Sequence, residues 1–396
     1  MLPAIQENGS HNHENPTDQA KLNSTMIEVS LGPRSYPIHV NESADAFGPC
    51  FETFVKDRLA ATWAGKGCQK ALVVTDLNVF EPWAEEARNH LLELGLEVGL
   101  LVVEAGEESK SLATLSGVYD SLIDLKADRH TLLVAVGGGV IGDLAGFAAA
   151  SFNRGLPLLM VPTSLLAMVD SSVGGKTGVN HPRGKNLIGA FHQPVGVWIT
   201  VQSLSTLPAR EFRSGLAEVL KYGVIQDPEF FAYLEANSER ALARDPAVLG
   251  HLISRSCRLK ADVVEQDEFE QSGLRAILNF GHTVAHAIEN IAGYGEYLHG
   301  EAVAVGMVAE TLLAEKLGWV DASVTHRLKA LLTKLQLPVS LDLGKDQDLL
   351  AAMRHDKKNV GGRIRFVLPK AIGSVAMTNL PDDPMILETL QSLRTA

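Results

Sequence analysis

The densest chemistry in this sequence lies between residues 275 and 301. His282 and His286 stand four residues apart in a helix-compatible run, so both imidazoles leave one helix face, with Arg275 and Asn279 just upstream. His299 follows within Leu298-His-Gly-Glu301. Two imidazoles and one carboxylate suit a catalytic metal that keeps a coordination position open. Glu218 is the candidate carboxylate. It precedes Lys221 by three residues in a helical run from 210 to 222, and the apolar residues around the pair point both side chains inward rather than to solvent. Spacing does not decide which histidines join Glu218, although the pair His282 and His286 is the simplest choice.

Two glycine-rich stretches add anion chemistry. Gly137-Gly-Gly-Val-Ile-Gly-Asp143 meets the GxGxxG pattern at Gly137, Gly139 and Gly142, between a strand and a helix, where backbone amides and a helix N-terminus can approach a pyrophosphate. The acidic residue expected about 20 positions downstream for a ribose is missing, and Asp76, at an upstream strand end with Asn78 beside it, is the natural substitute. The second stretch, Asp170-Ser-Ser-Val-Gly-Gly-Lys176-Thr, contains Gly-Lys-Thr but is no P-loop, because Asp170 occupies the first glycine position. Lys176, Lys185 and Asn186, alternating with glycines, are expected to converge with Arg154 on an anion or phosphate.

The elements that must carry these groups change character midway. Ile27-Glu-Val-Ser-Leu and Tyr36-Pro-Ile-His-Val alternate with period two; apolar runs at 70–76, 97–104 and 131–136 are separated by helical runs at 82–94 and 111–127. Continuous apolar strands between helices predict a parallel sheet covered on both faces. From Pro208 onward the period is helical, ending in a polar glycine loop, His355-Asp-Lys-Lys-Asn-Val-Gly-Gly-Arg363, before a strand at 364–368.

Composition bounds the rest. With 396 residues, 46% of them hydrophobic and 21% charged, the chain can bury two cores, and a net charge of −12 argues against a nucleic-acid surface. Cys50, Cys68 and Cys257 are odd in number and without a CxxC, as expected in a reducing compartment. The apolar run at 155–169 is too short and too often broken for a membrane span. A cytoplasmic protein with no membrane partner is expected. Residues 1–25 lack the features of a signal or transit peptide and read as a disordered, solvated tail carrying His11 and His13, with Met26 a candidate alternative start.

Together, GGGVIGDLAGF, VPTSLLAMVDSSVGGKTGVNHPRGKNLIGAFHQP, LPAREFRSGLAEVLKYG, LKADVV, GLRAILNFGHT, LHGEAVAVGM and HDKKNVGGRIRFVL resemble the 3-dehydroquinate synthase family, sugar phosphate cyclases of the shikimate pathway and aromatic amino acid biosynthesis. The resemblance covers nearly the whole chain from Met26. It implies an α/β N-terminal dinucleotide-binding domain with a mostly parallel sheet over 26–207, a mostly α-helical C-terminal domain over 208–396, NAD and zinc (cobalt as alternative) in the cleft, and a homodimer. The implied metal ligands are Glu218, His282 and His299. The implied NAD contacts are Asp76, Asn78, Glu107, Lys110, Gly138, Gly139, Asp143, Thr163, Ser164 and Thr206, with Lys176 and Lys185 nearby. The implied substrate contacts are Asp170, Arg154, Lys176, Lys185, Asn186, Lys221, Lys260, Arg275, Asn279, His286 and one of Lys357 and Lys358. This sequence departs from the family pattern in Ser164 for a common Thr, in Val284-Ala285 between the two histidines, and in Gln271-Ser272, which lengthens a turn; the chemical groups remain.

The implied reaction converts 3-deoxy-D-arabino-heptulosonate 7-phosphate to 3-dehydroquinate and phosphate. A cyclase for another sugar phosphate would be expected to alter the carboxylate-facing set, yet Arg275, Asn279 and His286 are all present. A glycerol-dehydrogenase-type enzyme has no evident use for so many phosphate-directed cations, and a non-catalytic NAD-binding module would tolerate losing ligands that are all retained.

Overall fold

A computed structural model of the chain describes residues 24–63, 67–293, 296–354 and 364–394. The tail expected at 1–25 lies mostly outside them, as do His355, Lys357 and Lys358. Ser24 and Thr25, however, already belong to the first strand, β1 (Ser24–Val29).

The N-terminal domain is a seven-stranded sheet. β2 (Tyr36–Asn41) pairs antiparallel with β1; β3 (Lys70–Asp76), β4 (Glu97–Val103), β5 (Leu132–Gly137), β6 (Leu158–Pro162) and β9 (Gly196–Thr200) run parallel in the order β1-β2-β9-β6-β5-β3-β4. Its helices are α1 (Gly48–Trp63), α2 (Glu85–Glu93), α3 (Leu112–Asp124) and α4 (Gly139–Ser151). Both faces are covered. Leu72 and Val74 enter one apolar cluster with α3 and α4, whereas Ala71 and Val73 enter the other with α1 and α2, the period-two alternation of a strand buried on both sides. From β3 the chain steps to one side, to β4; from β5 it steps to the other, to β6. The carboxyl ends of β3 and β5 therefore flank the reversal of strand order where an open α/β sheet forms its ligand crevice.

The glycine-rich stretch after Asp170, expected as a loop, is an antiparallel hairpin of β7 (Lys176–His181) and β8 (Gly184–Phe191). Its glycines permit close strand approach: a Cβ on Gly189 would lie 2.1 Å from Thr177 O, and one on Gly178 2.6 Å from Ile188 O.

The C-terminal part is helical: α5 (Ala209–Ile225), α6 (Pro228–Leu242), α7 (Pro246–Gln266), α8 (His282–Ala292), α9 (His299–Lys316), α10 (Ala322–Lys334), α11 (Asp346–Arg354) and α12 (Asp383–Ser392), with the hairpin β10 (Phe366–Ala371) and β11 (Ser374–Thr378). Helix α9 is buried on nearly every face from Gly300 to Ala314, as its apolar, small-residue sequence dictates. No helix among the described residues is long and apolar enough to cross a membrane.

Candidate active site

Three helices meet through missing side chains. A Cβ on Gly300 of α9 would sit 1.9 Å from Ser214 O of α5, and one on Gly306 would sit 1.9 Å from Gly281 O, just before α8. Gly281 takes φ +83°, and its N–H donates to Glu310 Oε2 at 2.7 Å, while Thr283 N–H donates to Glu310 Oε1 at 3.2 Å. The fully buried Glu310 of α9 thus caps α8 with a carboxylate where the helix N-terminus favours negative charge. These contacts fix the first residue of α8, His282, and the first residue of α9, His299, against Glu218 in the middle of α5.

The ligand atoms of Glu218, His282 and His299 all lie within 4.8 Å of one another. Each imidazole Nε2 is 3.5 Å from Glu218 Oε1. The other ring nitrogens have partners of their own: His282 Nδ1 faces Phe280 O at 3.1 Å and His299 Nδ1 faces Glu289 Oε1 at 3.4 Å. In the neutral imidazole that a metal ligand must be, an Nδ1 that donates leaves Nε2 with a lone pair directed into the cluster. Glu218 is 0% exposed, Lys221 Nζ contacts its Oε2, and neither carboxylate oxygen accepts a well-formed hydrogen bond. A buried carboxylate with unsatisfied oxygens and two oriented imidazoles is a donor set that fits a tetrahedral divalent metal. His286 is outside this trio; its ring centroid lies 5.7 Å from that of His282.

The electrostatics are those of a dense, mutually compensating cluster. Burial opposes ionisation of Glu218, but Lys221 and then His299 and His282 hold it down at about 2. Burial, then Lys221, drives His282 well below its ordinary value. His299 goes the other way: burial works to lower it, yet the facing carboxylates of Glu218 and Glu289 raise it, without a metal, to about 10. Asp170 is held below the usual carboxylate range, against burial, by Lys260 and then Lys221. It accepts from Lys260 Nζ at 2.7 Å and from Tyr222 OH at 3.1 Å.

Arg275 is 2% exposed, and its Nη1 donates to Glu268 O at 2.7 Å. Its guanidinium lies 5.9 Å over the Phe191 ring. Gly174, at φ +97°, has no room for a Cβ, which would fall 2.8 Å from Arg275 Nη2, and its N–H donates to the buried Tyr36 hydroxyl. Asn279 closes the same short 3-10 helix, Leu274–Asn279, its side-chain amide donating to Ala276 O at 3.1 Å.

On the sheet side, the candidate nucleotide groups sit at strand carboxyl ends. Asp76 ends β3, Gly138 and Gly139 open α4 directly from β5 with no side-chain cap, Thr163 and Ser164 follow β6, and Thr206 follows β9 and accepts from Trp83 Nε1 at 2.8 Å. Burial raises the Asp76 carboxyl, with the backbone amides of Asn78 and Val79 pulling it back. Uncapped amides beside a half-buried carboxylate fit a pyrophosphate with a ribose hydroxyl. Lys110 Nζ bridges Asp143 Oδ2 at 2.5 Å and Asn186 Oδ1 at 2.6 Å, and Glu107 takes Asn180 Nδ2 at 2.7 Å, so that loop clasps the β7–β8 hairpin.

The expected convergence of phosphate cations is not drawn together. Lys176 pairs in register with Phe191, five residues from Asn186, so the two lie ~17 Å apart along the hairpin. Lys176 is ion-paired to Glu270, which is also 3.7 Å from Arg275 Nε. Arg154 is exposed at the end of α4, ~20 Å along that helix from Gly139. Lys185 reaches toward the helical part instead, 3.9 Å from Glu289 Oε1. Three carboxylates have no role legible in the sequence: Glu270, which pairs with Lys176 and lies near Arg275, and Glu289 and Glu310, which hold His299 and α8. The only signal was spacing, since Glu289 follows His282 by seven residues, two helical turns on one face.

Family models described as 3-dehydroquinate synthase N-terminal and C-terminal match residues 100–214 and 215–359. A 3-dehydroquinate synthase of Rhodopirellula baltica is 47% identical over 92% of this chain and 96% of the relative. Another, from Desulforamulus reducens, is 48% identical over 88% of this chain and 94% of the relative. Among solved structures, the 2-epi-5-epi-valiolone synthase of Streptomyces hygroscopicus with NAD+ and Zn2+ bound superposes with a TM-score of 0.81 at 28% identity, covering 90% of this chain and 96% of that one. A 2-deoxy-scyllo-inosose synthase complexed with carbaglucose-6-phosphate, NAD+ and Co2+ gives 0.80 at 27% identity, covering 93% and 100%.

Proposed function

The chain belongs to the 3-dehydroquinate synthase family, and we propose that it converts 3-deoxy-D-arabino-heptulosonate 7-phosphate to 3-dehydroquinate and phosphate. In that reaction the C5 hydroxyl is oxidised, the neighbouring C–H becomes acidic, phosphate is eliminated, the carbonyl is reduced again and the opened enol closes by an aldol step. NAD and a zinc or cobalt ion, when bound, supply a reversible hydride acceptor and a Lewis acid for the hydroxyl.

The observation that carries the reading is the cluster of buried Glu218 with half-buried His282 and His299 at the heads of α8 and α9, with Lys221 in contact and Asp170 and Lys260 within electrostatic reach. In our reading those three residues hold the metal. Arg275 grips the substrate carboxylate, with Asn279 beside it, because a rigid planar guanidinium fixes a carboxylate by two parallel bonds. Lys221, Lys260 and Asp170 orient the ring hydroxyls, and His286, adjacent to the cluster but outside it, moves protons. Asp76, Asn78, Glu107, Lys110, Gly138, Gly139, Asp143, Thr163, Ser164 and Thr206 hold the dinucleotide along the strand ends, with Lys176 and Lys185 near it.

In our reading Lys176 binds the phosphate once it leaves Glu270, so we place a rearrangement of the 267–273 loop on the binding path; Asn186, farther along the hairpin, accepts from Lys110. We also infer a homodimer, with Arg154 exposed beyond the end of α4 as a candidate group for the partner's site. The working division is a dinucleotide domain over 26–207 and a metal and substrate domain over 208–396. Incubation of the purified protein with NAD, zinc and the heptulosonate phosphate, followed by NMR of the products, tests the reading: dehydroquinate with stoichiometric phosphate supports it, and unchanged substrate refutes it.

A further inference from the structure

We propose that Glu289 is a positioning residue for His299, and that through Lys185 it ties the metal cluster to the β7–β8 hairpin. The inference rests on the metal reading of Glu218, His282 and His299. His299 presents one ring nitrogen to each of two carboxylates, Nε2 to Glu218 at 3.5 Å and Nδ1 to Glu289 at 3.4 Å. A neutral imidazole carries one proton, and a carboxylate facing Nδ1 keeps that proton there, leaving the Nε2 lone pair aimed into the cluster. Without Glu289 either nitrogen can carry it, and the ring loses the bond that fixes its rotation.

His282 does not need this help, since Phe280 O serves its Nδ1. The role of Glu289 therefore falls on one ligand of three. The Glu289 side chain is 18% accessible, shielded where it works. The same oxygen that faces His299 also lies 3.9 Å from Lys185 Nζ on β8. The hairpin carrying Lys185 is clasped at Asn180 and Asn186 by Glu107 and Lys110 of the sheet domain. One carboxylate oxygen thus stands between a group of the sheet domain and a ligand of the helical part, and moving the hairpin must alter how firmly His299 is held.

The test uses the full chain stripped by a chelator, with zinc affinity read by competition with a chromophoric chelator and site geometry by the visible spectrum of the cobalt form. Glu289→Ala is expected to weaken zinc binding about 10- to 100-fold and to alter the cobalt spectrum. Glu289→Gln, which keeps an acceptor oxygen, is expected to recover most of that loss. Lys185→Met is expected to shift affinity severalfold in the parent and not at all beside Glu289→Ala. Parent-like zinc affinity in Glu289→Ala overturns the positioning role. So does a Glu289→Gln variant as weak as Glu289→Ala with the metal-free thermal midpoint lowered equally in both. Additive effects of the Lys185 and Glu289 substitutions overturn the coupling. Failure of the metal reading itself looks different: the parent binds no zinc, or His282→Ala binds it as the parent does.

Discussion

Replacing one hydrogen atom on Gly300 by a methyl group should disable the metal cluster from outside it. The new Cβ would lie 1.9 Å from Ser214 O and 2.8 Å from Ser214 Oγ, and the oxygen nearest to it is backbone. An ordinary non-bonded contact is ~3.5 Å, so the head of α9 must withdraw from α5 by about 1.5 Å. His299 is the residue immediately before Gly300. Zinc to nitrogen bonds are ~2.1 Å with a tolerance of ~0.2 Å, so a displacement several times that tolerance removes His299 as a ligand to a metal still held by Glu218 and His282. Gly300→Ala should therefore weaken zinc at least ~10- to 100-fold, lower kcat/KM by ~100-fold or more, and cost about 1–3 kcal/mol of stability through overpacking. The assays are chelator competition and denaturant unfolding of the metal-free protein. Gly117→Ala is the control: nothing lies within 4 Å of its Cβ in the middle of α3, and it should be neutral or stabilising by up to ~1 kcal/mol. A Gly300→Ala protein that binds zinc within about threefold of the parent and unfolds at the same denaturant concentration would refute the reasoning.

Other perturbations probe separate links. Glu310→Ala strands the Gly281 and Thr283 amides at the head of α8 and should cost about 1–3 kcal/mol in chemical denaturation, with weaker zinc binding as its companion. Lys176→Met should raise KM for the phosphate-bearing substrate by roughly 10- to 100-fold, the worth of one charge-assisted bond, while the NAD dissociation constant stays near the parent value; an unchanged KM counts against its phosphate role. His39 stacks on Trp198 at 4.3 Å with both ring nitrogens buried and unpaired, and burial lowers it to about 4 from 6.5. Between those two values the unfolded chain binds a proton that the folded chain does not, so stability should fall as pH drops through that window, by about 3 kcal/mol in all. Unfolding of His39→Phe, followed from pH 7 to pH 4, should lack that part of the slope.

The sheet was legible because its physics is local. Runs such as Lys70-Ala-Leu-Val-Val-Thr-Asp76 can be buried on both faces only in a parallel sheet, and Asp76 at the end of one is conspicuous. The inward turn of Glu218 and Lys221 was also legible, because Leu216, Ala217, Val219 and Leu220 surround them with apolar neighbours; all six are buried. Which histidine completes the cluster was not. Spacing favours His286, but the arrival of His299 depends on α9 meeting α5 through Gly300 and Ser214, 86 residues apart, and no periodicity encodes such a contact. The hairpin resembles a loop in sequence because its glycines look like turn residues, whereas Gly178 and Gly189 serve close strand approach. Glu289 and Glu310 are not legible as positioning groups, since a single helical period cannot show which amide or imidazole another helix brings.

Metal stoichiometry measured together with turnover tests the role of Glu218, His282 and His299 most directly. Protein stripped of metal, given NAD and the heptulosonate phosphate, should form no dehydroquinate; activity should rise linearly with added zinc and level off at one equivalent per chain, and His282→Ala should remain inactive while still binding NAD. Full turnover by the metal-free parent, or by His282→Ala, would contradict the claim that Glu218, His282 and His299 hold the catalytic ion.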